Sequence, residues 1–291
     1  AKLAPVSIHD QQDSGWQLGA DAGRRLVAKL IAQGRPLSEF VEGQLYRGVT
    51  TGANDVFVID NATKDGLIKA DPKSADIIKP LIQGEDLRPW YFENEERNLI
   101  FTRRGINIDD YPAVKEYLER FRKRLEPRPA NWQGSEWAGR KPGSYKWYEI
   151  QDSVDYFTAF EKTKILWPDI TKFPRFSWDT GEIYLGNTGY LIATNQPWLL
   201  GYLSSRCAWF TISQTAIALG ERAGVMRYRL IDQYMRPLPI PDAPASEQEA
   251  ISALAMQITG EAQARYGVHR RARGRIPVSY THLTLPTNRE V

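Results

Sequence analysis

Length, composition and charge set the first limits. The chain has 291 residues, 42% of them hydrophobic, which is enough for a sizeable core in one large or two small domains. The net charge is only +3, with a sequence pI of about 8.8, and this mild basic excess is compatible with a polyanionic partner. Cys207 is the only cysteine, which excludes an internal disulfide and suits a reducing cytosol. No apolar run can span a bilayer and no signal peptide heads the chain, so we expect a cytoplasmic protein without a membrane partner.

The N-terminal part is predicted to contain a helix followed by a polar turn. Because the chain begins at Ala1 without methionine, we expect it to be a piece of something longer. Apolar spacing predicts an amphipathic helix over residues 21–33. Residues 46–60 then have the pattern of strand, tight turn and strand, with Gly52 permitting positive φ. The turn is either purely structural or a polar loop that a rigid sheet presents to a ligand.

The middle of the chain alternates short elements and a long loop. Residues 72–83 have the spacing of a short helix, and residues 99–101 that of a buried strand. A charged helix fits residues 111–125. Residues 127–145 are rich in Pro, Gly, Arg and Trp, which predicts a loop.

The last part is predicted to hold strands and then helices. Strands are expected at residues 164–167, 183–185 and 190–193, followed by a helix that Asn195 caps and that continues to Ser213. Because strands and helices mix without a regular βαβ alternation, we predict an α+β fold with an irregular mixed sheet, packed helices and a C-terminal helical segment.

A final helix and a foreign-looking tail close the chain. Ser246 and Glu249 have the spacing of a capping box for the last helix. Residues 269–291 lack helical or strand periodicity and resemble a translated adapter or cloning scar, so we expect this tail to be non-native.

Signals of catalysis are nearly absent. Gly-rich phosphate loops and dinucleotide fingerprints are missing. The three histidines, His9, His269 and His282, are scattered, and one cysteine cannot form a zinc set. Asp169 and Lys172 faintly resemble a nuclease carboxylate–lysine set, but no Glu-x-Lys or Asp-x-Lys follows at suitable spacing. We therefore predict no catalytic residue, no metal ligand and no cofactor in this chain.

Basic residues recur beside aromatic residues in the predicted loops. Examples are Arg103-Arg104, Lys146-Trp147-Tyr148, residues 172–176 and residues 222–229. Arginine can contact guanine edges in bidentate fashion, lysine and arginine neutralise phosphates, and aromatic rings stack on bases. Any one cluster is typical of a solvated edge with one buried ring, whereas their recurrence makes DNA binding an equally good interpretation.

Five segments, taken in order, resemble the TaqI-like C-terminal specificity domain of adenine-specific DNA methyltransferases and type IIG restriction–modification enzymes. They span the chain from about Leu45 to Pro241. The segments are residues 48–57 (GVTTGANDVF), 77–87 (IIKPLIQGEDL), 147–151 (WYEIQ), 160–170 (FEKTKILWPDI) and 235–241 (MRPLPIP).

The resemblance implies a DNA target-recognition domain in a prokaryotic cytoplasm. In this family an upstream domain binds S-adenosylmethionine and methylates adenine at N6 through an Asn-Pro-Pro-Tyr-type motif, while the recognition half clamps the duplex. This chain lacks that motif, so the catalytic half would be a missing N-terminal methyltransferase domain of the same parent chain. Two positions, Val56 and the Glu221–Val225 loop, depart from the family pattern, which prevents inference of the target sequence.

These observations predict four regions. Residues 1–40 form a connector and helix, residues 41–245 the DNA target-recognition domain, residues 246–268 a C-terminal helix, and residues 269–291 the tail. The candidate contacts to double-stranded DNA are Thr50, Thr51, Gly52, Asn54, Arg103, Arg104, Lys172, Arg175, Arg222, Arg227 and Arg229.

Two other functions remain open from the sequence. The nine tryptophans suggest a carbohydrate- or protein-binding module, which exposed Trp platforms without flanking Arg would favour. A self-contained enzyme would require this chain alone to bind S-adenosylmethionine.

Overall fold

The computed structural model describes residues 21–93 and 96–275. Ten α-helices and thirteen strands lie in these residues. The helices are α1 (Asp21–Gln33), α2 (Leu37–Phe40), α3 (Asn54–Phe57), α4 (Asn61–Ala70), α5 (Pro112–Glu119), α6 (Arg122–Leu125), α7 (Pro197–Leu203), α8 (Arg206–Thr215), α9 (Asp232–Met235) and α10 (Ala245–Arg275). The strands are β1 (Arg35–Pro36), β2 (Leu45–Arg47), β3 (Val58–Ile59), β4 (Ile78–Ile82), β5 (Asn98–Ile100), β6 (Lys164–Pro168), β7 (Ile170–Thr171), β8 (Ser177–Asp179), β9 (Tyr184–Leu185), β10 (Gly189–Ala193), β11 (Ala218–Arg222), β12 (Val225–Arg229) and β13 (Pro239–Ile240).

The strands form four sheets of mixed connectivity. Two sheets have four strands each, in the orders β2-β10-β6-β8 and β3-β5-β4-β9. A three-stranded sheet has the order β11-β12-β7, and β1 pairs with β13. Every pairing is antiparallel except that of β4 with β9. The predicted α+β fold is confirmed.

The β2-β10-β6-β8 sheet separates two hydrophobic cores. Successive side chains of a strand point to opposite faces. In β10, Leu191 belongs to the core beneath β3, β4 and β5, whereas Ile192 belongs to the core that α7 and α8 cover. In β6, Leu166 likewise belongs to the core beneath β3, β4 and β5, and Ile165 belongs to the core that α7 and α8 cover. Both faces of this sheet are therefore buried, which explains why β6 and β10 carry no charged side chain except Lys164, whose buried ammonium pairs with Asp179.

The predicted hairpin over residues 46–60 is wrong. Strand β2 pairs with β10, whereas β3 pairs with β5 in a different sheet. Between them, residues 54–57 form the short helix α3, in which Val56 and Phe57 are both buried. The apolar residues 56–59 suit a helical turn as well as a strand, so their spacing alone does not decide between the two. Gly52 does have positive φ, +78°.

The predicted helix over residues 72–83 is also wrong. Pro72–Asp76 form a single 3-10 segment, and β4 follows. Ile78, Leu81 and Ile82 are buried. Buried residues at this spacing fit one face of a helix, and they also fit a strand that is buried on both faces. Pairing of β4 with β5 and β9 decides for the strand.

Two predicted long helices are each broken into two. The helix predicted over residues 111–125 consists of α5 and α6, and the helix predicted over residues 195–213 consists of α7 and α8. In the second case Ser205 caps α8, because the Ala208 N–H donates to Ser205 Oγ at 3.2 Å. Ser205 therefore begins a second helix within what the apolar spacing predicted to be one continuous helix.

The chain ends of the described part form long helices. Helix α1 has the predicted bounds. Helix α10 begins at Ala245, before the predicted cap Ser246, and continues through Arg275. Residues 1–20 of the predicted connector and residues 276–291 of the predicted tail lie outside the described residues. The helices that are described include none with the length and apolar character to cross a membrane.

Candidate nucleic-acid interface

Strands β11 and β12 form a two-stranded ribbon that extends the short strand β7. The ribbon turns through Ala223 and Gly224, whose φ angles are +54° and +70°. Positive φ at both central residues is the geometry of a type I′ turn, which matches the twist of the two strands. All residues at the tip are exposed. The departure from the family pattern at residues 221–225 therefore lies at the tip of this ribbon.

One face of the ribbon packs against the body of the protein. The Tyr228 ring contacts the Trp209 ring of α8 edge-on, with centroids 5.7 Å apart. Met226 shares the face of Tyr228 because the two are two residues apart on one strand. Arg227 and Arg229 therefore lie on the opposite face.

Cross-strand pairing places more cations on that opposite face. Arg222 pairs with Val225, and Ile170 pairs with Arg229. Directly opposed residues share a face of the sheet. Lys172 follows Ile170 by two residues and donates from Nζ to the Arg222 carbonyl. The outer face of the ribbon, as we call it, thus consists of Ile170, Lys172, Arg222, Val225, Arg227 and Arg229.

A carboxylate lies at the base of the outer face. Asp169 precedes β7 and is half-buried, and burial raises the pKa of its carboxyl above the usual 3.8. Arg229 and Arg47 lie close enough to oppose this shift. Arg47 itself donates to the Asn187 carbonyl at 3.0 Å. Sequence reasoning missed Arg47 because its position beside the ribbon depends on the pairing of β2 with β10.

Arg175 lies near the ribbon, but its guanidinium forms hydrogen bonds within the protein. Its guanidinium donates to Thr171 Oγ1 and to the carbonyls of Leu87 and Ile170, at 3.1, 3.3 and 3.1 Å. Burial lowers the pKa of this guanidinium. These bonds hold the loop after β7 and leave Arg175 less free than Lys172 or Arg229 to contact a ligand.

The polar side chains of the Gly52 turn differ in their exposure to solvent. Thr51 is buried, and its hydroxyl donates to Asn54 Oδ1 at 2.6 Å while it accepts from the Ala53 N–H at 3.1 Å. Thr50 is half-buried, and Asn54 and Gly52 are exposed. Thr51 thus shapes the turn, whereas Thr50, Gly52 and Asn54 are accessible.

A buried arginine fastens this turn to the loop that follows α6. Arg140 is 3% exposed. Its guanidinium donates five hydrogen bonds of 2.7–3.2 Å to backbone carbonyls. These acceptors belong to Thr51, Leu125, Lys146, Trp147 and Glu149. Burial lowers the pKa of Arg140 to about 10, so the side chain remains a cation at neutral pH.

Arg103 and Arg104 are near the same loop and differ in exposure. Arg104 donates to Ser144 Oγ at 2.9 Å and to the Gln151 carbonyl at 2.8 Å. Arg103 is exposed, with its guanidinium 4.6 Å from the centroid of the Phe157 ring. Gln151 also donates its backbone N–H to the Thr51 carbonyl. The structure therefore joins the Gly52 turn and Arg104 into one group, and the outer face of the ribbon forms another.

Gly52 gives a testable expectation for this group. A Cβ at Gly52 would lie 2.7 Å from Gln151 Oε1 and 3.0 Å from Gln151 Cβ. Gly105 has the same φ, +78°, but no atom within 4 Å of an added Cβ. Gly105→Ala should cost about 1–2 kcal/mol through the left-handed backbone alone, and Gly52→Ala about 2–4 kcal/mol because the clash adds to it. Urea denaturation of both variants measures the difference, and equal costs would mean that Gln151 moves away freely.

Known proteins give two kinds of similarity. No family model matches the chain. Over 238 residues, or 79% of this chain and 39% of the relative, it is 24% identical to the type II methyltransferase M.BstVI of Geobacillus stearothermophilus. The chain is homologous to part of a type II methyltransferase. It spans about two fifths of the length of that relative. The described residues contain no cluster of His, Cys, Asp or Glu that is suited to a metal ion.

Solved structures add a match of fold. The type IIL restriction–modification enzyme MmeI, determined in complex with DNA, aligns with a TM-score of 0.51 and 19% identity over 77% of this chain and 28% of that enzyme. The type IIG restriction endonuclease BpuSI aligns with a TM-score of 0.45 and 14% identity, over 81% of this chain and 28% of BpuSI. The chain thus shares the fold of one part of MmeI.

Proposed function

We propose that residues 41–245 form the DNA target-recognition domain, of the TaqI-like type, of a site-specific adenine-N6 methyltransferase in a restriction–modification system. The observation that carries the proposal is the outer face of the ribbon, where Lys172, Arg222, Arg227 and Arg229 lie together. The homology to a type II methyltransferase supports the class of the parent protein.

The shape of the ribbon suits the major groove of duplex DNA. That groove is about 12 Å wide and admits a two-stranded β-ribbon. Arg227 and Arg229 stand two residues apart on one strand, so both side chains project in the same direction. Arginine in this position can donate two hydrogen bonds to guanine O6 and N7, while Lys172 supplies a point charge for phosphate.

The Gly52 turn and Arg103 would provide a second group of contacts. Thr50 and Asn54 offer short hydrogen-bonding side chains, and Arg103 offers an exposed guanidinium. Such groups suit phosphate and sugar contacts, which fix the register of a protein on the duplex. Chemistry on the flipped adenine would belong to an N-terminal methyltransferase domain of the same parent, where S-adenosylmethionine binds.

The tryptophans do not favour a carbohydrate-binding module. Of the eight tryptophans in the described residues, only Trp132 is exposed. Trp167, Trp178 and Trp198 are buried in the core under α7 and α8. The abundance of tryptophan therefore reflects core packing, and a row of exposed rings for sugar stacking is not found in this part of the chain.

Selection of duplexes from a randomised pool tests the proposal. The 291-residue chain should enrich one sequence motif, and the logarithm of its binding constant for the selected duplex should fall linearly with the logarithm of salt concentration. A scrambled duplex of equal length serves as the control and should bind more weakly. Affinity that is independent of both salt and sequence would refute the proposed function.

A further inference from the structure

Positive charge concentrates in a segment outside the ribbon. Residues 112–146, which we call the basic segment, contain nine Lys and Arg residues but only four Glu residues and no Asp. Their net charge is +5, whereas the whole chain carries only +3. The rest of the chain is therefore slightly acidic. The net charge of this window is readable from the sequence, whereas the pairing of basic with aromatic residues does not single it out.

Half of the exposed cations in the basic segment already have carboxylate partners. Lys115 pairs with Asp109, Arg120 with Glu116, Arg122 with Glu119 and Glu126, and Arg124 with Asp55. The remaining four, Lys123, Arg128, Lys141 and Lys146, are exposed and form no ion pair with the described residues. Lys146 lies beside the Tyr148 ring, 5.6 Å from its centroid.

Backbone contacts bring together the segments that carry these four residues. Arg128 donates its N–H to the Arg140 carbonyl, and Arg140 donates its own to the Glu126 carbonyl, which sets residues 126–128 beside 140–141. The Arg140 guanidinium bonds the carbonyls of Leu125 and Lys146. Helix α6, which contains Lys123, and the backbone that carries Arg128, Lys141 and Lys146 are thus held by one buried side chain. We call Lys123, Arg128, Lys141 and Lys146 the phosphate patch.

We propose that the phosphate patch binds the backbone of duplex DNA outside the base pairs that the ribbon reads. This inference rests on the proposed function. All four side chains are lysine or arginine, and three of them lie on loops. Such side chains bind phosphate through charge and hydrogen bonds, and these contacts carry no sequence information. The patch adjoins the Gly52 turn, because Arg140 also bonds the Thr51 carbonyl and Arg124 pairs with Asp55. Flanking phosphates would extend the bound duplex from that turn across α6.

The salt dependence of binding distinguishes the patch from a solvated surface. The variant with Lys123, Arg128, Lys141 and Lys146 all changed to Gln should lower the magnitude of the slope of log K against log salt by about 3–4, since each phosphate contact contributes about 0.9. Cognate and scrambled duplexes should weaken by the same factor. Shortening the duplex at its flanks should reproduce the loss in the unaltered chain and add little in the variant.

A matched control removes the same charge elsewhere. Arg25, Lys29, Lys69 and Lys162 are also exposed, and changing all four to Gln gives the same net charge. Equal salt slopes for the patch variant and this control would overturn the inference. If Arg227→Ala and Arg229→Ala nevertheless lost sequence discrimination, the proposed function would stand without the patch. If the unaltered chain bound no duplex, both would fall.

Discussion

Replacing Arg140 with methionine should lower the free energy of unfolding by about 3–5 kcal/mol. Methionine has similar length but no donor, so the five carbonyls that Arg140 serves would lose their bonds. The guanidinium also lies 4.3 Å from the centroid of the Tyr145 ring. The loss should be large because the site is closed to water that might replace the donor. Urea denaturation followed by tryptophan fluorescence measures it.

The control for this prediction is Arg128→Met, on the same loop. Arg128 is exposed, so its replacement should change the free energy of unfolding by less than about 0.5 kcal/mol. Arg140→Lys should fall between the two, since one ammonium with three donors cannot reach the five carbonyls that surround the guanidinium. A loss below about 1 kcal/mol for Arg140→Met would show that the loop carbonyls find other donors.

Replacing Arg229 or Arg227 with alanine should relax sequence discrimination. Each change should weaken binding to the selected duplex by about 1–3 kcal/mol and broaden the preference at one base pair, if that arginine donates two bonds to a guanine. Arg227 is held partly in place, because its Nη2 donates to the Leu219 carbonyl at 3.1 Å. Arg229 is exposed and lies beside Asp169. Repeating the selection from a randomised pool with each variant identifies the base pair.

A variant in the phosphate patch should behave differently from the ribbon variants. Lys123→Gln should weaken selected and scrambled duplexes alike, whereas Arg229→Ala should leave the scrambled duplex nearly unchanged. An equal loss on both duplexes would assign Arg229 to phosphate and remove it from base recognition. Arg25→Gln, on α1, should change neither affinity.

The sequence correctly predicts the helices and strands whose buried faces follow from the spacing of apolar residues along the chain. The strands β6 and β10 are recognisable because both faces are apolar, and helix α1 because Gly34 and Pro36 end it. The hairpin around Gly52 could not be predicted correctly, since residues 56–59 form an apolar run that suits a helix as well as a strand. Only the partner strands, β10 and β5, decide which sheet each end joins. Those partners are distant in sequence.

The same reasoning explains which site residues could be foreseen. Arg227 and Arg229 stand two residues apart, so alternation along one strand suffices to group them, whereas Arg222 joins them only through its cross-strand pairing with Val225. Arg140 could not be recognised, because its importance comes from five carbonyls that tertiary folding collects around it. Whether a threonine in the Gly52 turn points outward is likewise a matter of packing: Thr50 and Thr51 are adjacent, yet one is accessible and the other buried.

The sheet between the two cores has a consequence for cooperativity. Because Leu191 and Ile192 of β10 serve different cores, loosening that strand removes one wall from each core at once. We therefore expect the two cores to unfold together. The ribbon contributes only part of one face to these cores, so its exposed surface can change during evolution with little penalty in folding.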